Sequence, residues 1–149
     1  MSDLAPESIC RRIVETTGDA VLFGDREGKI RLWNAGAEAT FGWSAAEAMG
    51  QSMDLIIPDR LRGRHWEGWE KTMATGVTKY GRDLLAVPAV RKDGSPLSIE
   101  FTIQLVRDGE GAILGASAII RDVTARWNRD KELRKRLKDL ESQLGLKTG

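Results

Sequence analysis

LSIEFTIQL, residues 97–105, alternates strictly: Leu97, Ile99, Phe101, Ile103 and Leu105 fall on one side, and Ser98, Glu100, Thr102 and Gln104 on the other. A period of two sets an apolar face on a core and a polar face toward water, as in a strand of an antiparallel sheet. Arg91-Lys92-Asp93-Gly94 precedes it as a hairpin turn, and residues 79–89 predict the strand before that turn. Asp108-Gly109-Glu110-Gly111 turns the chain again into AILGASAII, 112–120, a further strand. Near the start, residues 20–24 and 29–33 predict two more strands around the turn Asp25-Arg26-Glu27-Gly28. Short helices lie between these two groups. Asn34 caps AGAEATFG, which Gly42 ends, and Ser44 with Glu47 forms a capping box opening SAAEAMG. Residues 58–75 predict the longest internal helix, with Gly63 and Gly68 pointing to an irregular or 3₁₀ first half. The order implies an α+β domain, a five-stranded antiparallel sheet with short helices on one face.

Residues 5–16 read as an amphipathic N-terminal helix through Ile9, Ile13 and Val14. At the other end Leu133, Leu137, Leu140 and Leu144 step by 4, 3 and 4, a heptad seam of a C-terminal coiled-coil helix. The division is thus an N-terminal helix at 1–17, a central domain at 18–124 and a terminal helix at 125–149. Only about two heptads are present, so the seam predicts a homodimer in which the N-terminal helix shares the interface.

The 149 residues are the length of one domain, and 41% apolar against 30% charged excludes a disordered chain. Net charge is +1, which gives no field for nucleic acid, although residues 124–149 carry eight Lys/Arg and four Asp/Glu. No apolar stretch approaches the ~20 residues of a membrane span, and no basic-then-apolar leader opens the sequence. Cys10 stands alone, so an internal disulfide and a Cys-rich zinc site are excluded, and a cytoplasmic location is expected. With no phosphate-binding Gly-x-x-x-x-Gly-Lys loop and no Gly-x-Ser-x-Gly elbow, the expectation is a protein that is not an enzyme.

Three stretches in this order and spacing resemble a PAS domain: DAVLFGDREGKIRLWNAGAEATFGWSAAEAMGQSMDLIIP (19–58), RKDGSPLSIEFTIQLV (91–106) and IIRDVT (119–124). The resemblance covers roughly residues 8–124 and implies a sensory or interaction module that holds a ligand between sheet and helices. It also implies that the signal leaves through the terminal helix, with Asp122-Val123-Thr124 as hinge, toward a separate signalling partner or a larger signalling protein. The light-sensing flavin class carries a cysteine after the glycine that ends its small helix; here that run is Gly50-Gln51-Ser52-Met53-Asp54-Leu55, which excludes flavin–thiol photochemistry.

RLRGRHWEGWEKTMATG, 60–76, is similar to the proximal region of heme-binding PAS domains of the oxygen-sensor kinase type, where a histidine lies eight residues before a Met-Ala-Thr-Gly run. The resemblance implies heme b (iron protoporphyrin IX) held by His65 as axial iron ligand. The residues themselves add a weaker, independent argument. His65 is the chain's one histidine, set between Leu61 and Trp69 at i±4, and a neutral imidazole facing an apolar cavity suits axial ligation. Ile99, Phe101 and Ile103 supply an apolar wall, Trp69 shares the histidine's helical face, and Lys71, Lys79 and Arg64 are candidates for the propionates. The competing reading is a histidine that only hydrogen-bonds within a core. The chain departs from the family on the distal side. The oxygen-sensor kinases place an arginine twenty residues after the histidine, and another class a methionine eighteen residues after it; here these positions are Leu85 and Asp83. Bound O₂ gains from a hydrogen-bond donor more than CO or NO does, so an apolar distal side favours CO, NO or a redox change as input. The alternative is a heme-free PAS dimerisation module, or a PAS domain binding another small ligand.

Overall fold

Strand β4 (Pro96–Arg107) is the longest of the sheet, pairing antiparallel with β3 (Leu85–Val90) and β5 (Ile113–Asp122). β5 pairs with β1 (Ala20–Asp25), and β1 with β2 (Ile30–Trp33), giving five antiparallel strands in the order β2-β1-β5-β4-β3. The computed structural model describes residues 3–78 and 81–145. The first and last strands in sequence therefore lie side by side at the centre. Cross-strand rows fix the inner face: Ala20–Ile120–Phe101–Leu85 is one, and Leu22–Ala118–Ile103 the next. The alternation of residues 97–105 sets this register, since a slip by one residue would turn Leu97 and Ile99 to water.

The helices are α1 (Pro6–Thr16), α2 (Ala35–Phe41), α3 (Ala45–Ala48), α4 (Asp59–Thr75) and α5 (Thr124–Gln143), with a 3₁₀ turn at Met53–Ile56. The Ser44–Glu47 capping box forms in both directions. The core gathers Leu22, Ile30, Trp33, Phe41, Met53, Leu97, Ile99 and Ile120 between α2, α3, the 3₁₀ turn and the sheet. Ile30 and Phe41 are wholly enclosed, each contributing roughly 1.5–3 kcal/mol by burial. Asn34 is a buried polar residue whose four hydrogen bonds stitch this layer together. Its Oδ1 accepts from Val21 N (2.8 Å) and Ala37 N (2.9 Å), and its Nδ2 donates to Val14 O (2.7 Å) and Asp19 O (3.0 Å).

Two sequence expectations change. β3 begins at Leu85 rather than at 79: Gly81 takes a left-handed backbone (φ 57°) in a turn, and the pairing with β4 starts at Leu85↔Phe101. Residues 79 and 80 lie outside the described residues. α4 is regular from its first turn, with open space around Gly63 and Gly68; neighbouring tertiary contacts outweigh the helix cost of two glycines. α5 has no buried residue, and its seam leucines stand exposed. Among the described residues, no helix is long and apolar enough to cross a membrane.

Candidate functional site

α4 is tied to the body along its length. The Trp66 indole donates to the Asp54 carboxylate (2.7 Å) and the Trp69 indole to Arg26 O (3.0 Å). Arg62 donates to Ile57 O and Asp54 O, both at 3.0 Å. The Trp66 ring lies over Gly28, where a Cβ would come within 2.2 Å of it and where φ is +80°, so both space and backbone call for glycine. At the far end, Arg26 reaches Met73 O and Arg107 reaches Gly76 O, placing two cations on the C-terminal carbonyls of α4.

His65 sits among these tryptophans. Its ring meets Trp66 edge-on at 4.6 Å and stacks on Trp69 at 6.0 Å between centroids. Its Nδ1 is shut off from solvent and has no hydrogen-bond partner among the described residues. Burial pushes the imidazole below its ordinary value of 6.5, and the Asp54 carboxylate opposes that only in part. A neutral ring results, with a buried nitrogen whose bonding capacity is unspent.

The other sequence-predicted residues divide. Ile99 is buried, while Leu85, Phe101 and Ile103 are half-buried, so cover over the apolar face thins along β4 away from Leu97. Leu85 and Phe101 are direct cross-strand partners, and Ile103 lies opposite Ala118. The inner-face rows of β3, β4 and β5 from Leu85 to Ala116 present only apolar side chains. Arg82 is exposed in the turn before β3. Lys71 and Arg64 are exposed; Lys71 stands roughly 120° round α4 from His65 at 3.6 residues per turn. Lys79 lies outside the described residues. No group of three or more His, Cys, Asp or Glu suited to a metal ion occurs among the described residues.

A feature that sequence reasoning missed lies elsewhere. A cleft of about 580 Å³ opens between the start of α4 and the β3–β4 hairpin, walled by Trp43, Leu55, Pro88 and Val90. None of the residues named above for heme lines it. Its walls come from three separated segments with no common spacing, so no local pattern announces it.

The sequence matches the family described as the PAS fold over residues 9–123. It is 34% identical to an uncharacterized protein of Azorhizobium caulinodans over 148 residues, 98% of this chain and 20% of that protein. It is 30% identical to the sensor protein FixL of Bradyrhizobium diazoefficiens over 142 residues, 93% of this chain and 26% of that protein. The oxygen sensor protein DosP of Escherichia coli is 25% identical over 115 residues, 77% of this chain and 14% of that protein. The chain thus spans about a quarter or less of these curated relatives. Among solved structures, a PAS domain from Colwellia psychrerythraea superposes with a TM-score of 0.71 at 21% identity, covering 81% of this chain and 99% of that one. An RNA-binding light-oxygen-voltage receptor gives 0.70 at 22% identity, covering 93% and 40%. At these identities the structures share the fold.

Proposed function

This chain belongs to the PAS family, and from that premise we propose that it is a sensor domain holding heme b through His65 and reporting a diatomic gas or a redox change through its terminal helix. The single observation that carries the reading is the buried, unpartnered Nδ1 of His65. A core histidine kept for its hydrogen bonds would have spent that nitrogen. A neutral imidazole with an unspent ring nitrogen fits an axial iron ligand, and the apolar rows of β3, β4 and β5 fit a porphyrin in polarity.

In this reading His65 holds the iron, Ile99, Phe101 and Ile103 form the wall, Leu85 stands on the gas side, and Lys71, Lys79 and Arg64 serve the propionates. Trp69 fixes the imidazole plane by stacking, and its own bond to Arg26 O holds it in place. When bound, heme supplies an iron centre that takes up CO, NO or O₂ or changes oxidation state. The chain's residues supply orientation, exclusion of water and a neutral donor. Residues 18–124 act as the sensor, with 1–17 and 125–149 as the dimerising helices, in a cytoplasmic protein that is not itself an enzyme and passes its signal to a partner. The likeness to a protein named as an oxygen sensor lends support.

An absorption spectrum of the purified protein, and a hemin titration, test this. The parent should show the Soret band of a histidine-ligated heme. His65→Ala loses it while keeping the fold by circular dichroism, and added imidazole partly restores it. Full heme occupancy with an unchanged band in His65→Ala rejects the assignment and leaves a heme-free PAS interaction module.

A further inference from the structure

α5 leaves the domain with one narrow apolar stripe. From residue 128 to residue 144 its only apolar residues are Leu133, Leu137, Leu140 and Leu144, and these are 54–73% exposed. Leu137 and Leu144 take the a positions of a heptad, and Leu133 and Leu140 the d positions. A helix that packs on a globular surface widens its apolar face into e or g as well. A stripe confined to a and d is the width that one helix presents to another of its kind. The flanking charges fit a second copy. With two copies parallel and in register, Arg136 at g of one faces Glu141 at the following e of the other, and symmetry repeats the pair.

Toward the domain the same register is broken. The a position before Leu133 is Asp130. The d before that is Arg126, already paired with Glu100 of its own sheet, and the a before that is Val123, buried in the domain. Asp130 is thus the first position along α5 that a partner helix meets at its core. Arg129 at g and Arg134 at e flank it, and all three are exposed. Across a parallel pair each Asp130 packs beside Arg129 of the other copy. That contact offsets the approach of the two carboxylates, and of Arg129 to Arg134, and leaves a charged layer at the root of a leucine seam.

We propose that α5 takes a second copy of this chain as its partner, wound parallel and in register, and that Asp130 with Arg129 and Arg134 forms a polar layer which fixes that register and keeps the coil weak. The proposal rests on the reading of 125–149 as a dimerising helix and deepens it. A single polar layer costs stability, but a pairing slipped by one heptad would set Asp130 against Leu137 and is penalised more. A reversed pairing carries Asp130 past the far end of the seam, away from its own copy.

Two substitutions of the same chemistry at different phases test this in the full chain, both at exposed sites. Asp130→Leu, at a, should tighten the dimer at least about ten-fold by sedimentation equilibrium. Asp139→Leu, at the outward c position, should leave it unchanged. Orientation is read from disulfides in a chain whose one cysteine is removed by Cys10→Ser. There Asp130→Cys should form a disulfide with its own copy on mild oxidation, since parallel a positions face each other within the roughly 4.4–6.8 Å between Cα atoms that a disulfide spans. Asp139→Cys should not. Equal effects of the two leucine variants, or no disulfide at 130 in a chain that still dimerises, overturns the polar layer and leaves the dimer standing. A parent and an Asp130→Leu variant that are both monomeric overturn the layer and the dimerising helix together.

Discussion

The side-chain amide of Asn34 donates to the carbonyl of Val14 at 2.7 Å, joining the N-terminal helix to the start of α2 across twenty residues of sequence. The same side chain caps α2 and accepts from β1. Asn34→Ala should lower stability by roughly 2–4 kcal/mol, through loss of the cap and through buried groups left unpaired. Asn34→Asp keeps the acceptor but loses both donations, so it should not restore the parent value. Urea unfolding measures both; an alanine variant within about 0.5 kcal/mol of the parent removes Asn34 from this role.

Burial of His65 makes stability depend on pH. The folded-state pKa lies below the ordinary 6.5, so between the two values the unfolded chain binds more protons than the folded one. The contribution is fully present above the ordinary value and is lost as pH falls through the folded one. Thermal midpoints of the heme-free protein should therefore drop more, from about pH 8 to about pH 5, than those of His65→Gln. Equal slopes in parent and variant would assign the acid sensitivity elsewhere.

Under the proposed heme reading, the wholly apolar row Leu85–Phe101–Ile120 sets an expected gas preference. The heme-loaded ferrous protein should take up carbon monoxide readily and oxidise quickly in air, since O₂ finds no donor there. Leu85→Arg should slow that oxidation several-fold. Stopped-flow spectra decide the matter, and an oxygen complex of the parent that lasts for hours contradicts it.

Leu133, Leu137, Leu140 and Leu144 are 54–73% exposed, and Ile13 of α1 is 59% exposed. A partner surface would gain roughly 1.5–3 kcal/mol per leucine on full burial. Sedimentation should give a dimer for the full chain and a monomer for one ending at Thr124, with Leu137→Asp behaving like the shortened chain. A monomeric parent, or a truncated chain that dimerises as well, takes α5 out of the interface.

Much of the sheet was legible because Leu97 to Leu105 and the turn Arg91–Gly94 declare their geometry locally. β4 and its hairpin follow from them. Caps were equally plain at Asn34 and Ser44. The start of β3 was not, since apolar content alone does not reveal the turn at Gly81 that delays the pairing. The unbroken α4 was hidden for the opposite reason: Trp66 and Trp69 anchor it through distant partners that outweigh Gly63 and Gly68. His65 stood out as a lone residue type, but its unspent nitrogen is a property of packing. Trp43 carried no sequence signal, because its neighbours in the cleft come from remote segments.

α5 is held chiefly at its root. Thr124 Oγ1 accepts from Ser98 N (2.9 Å), the Asp122 carboxylate accepts from Thr124 N (2.9 Å), and Arg126 pairs with Glu100. Asp122 is also the partner of Arg91, at 3.0 Å. From that root the twenty residues of α5 form a lever about 30 Å long. A tilt of about 10° at the root sweeps its tip through roughly 5 Å, nearly the pitch of one helical turn. A displacement too small to disturb the sheet is thereby magnified, at the far end of the helix, into one on the scale of a helical turn.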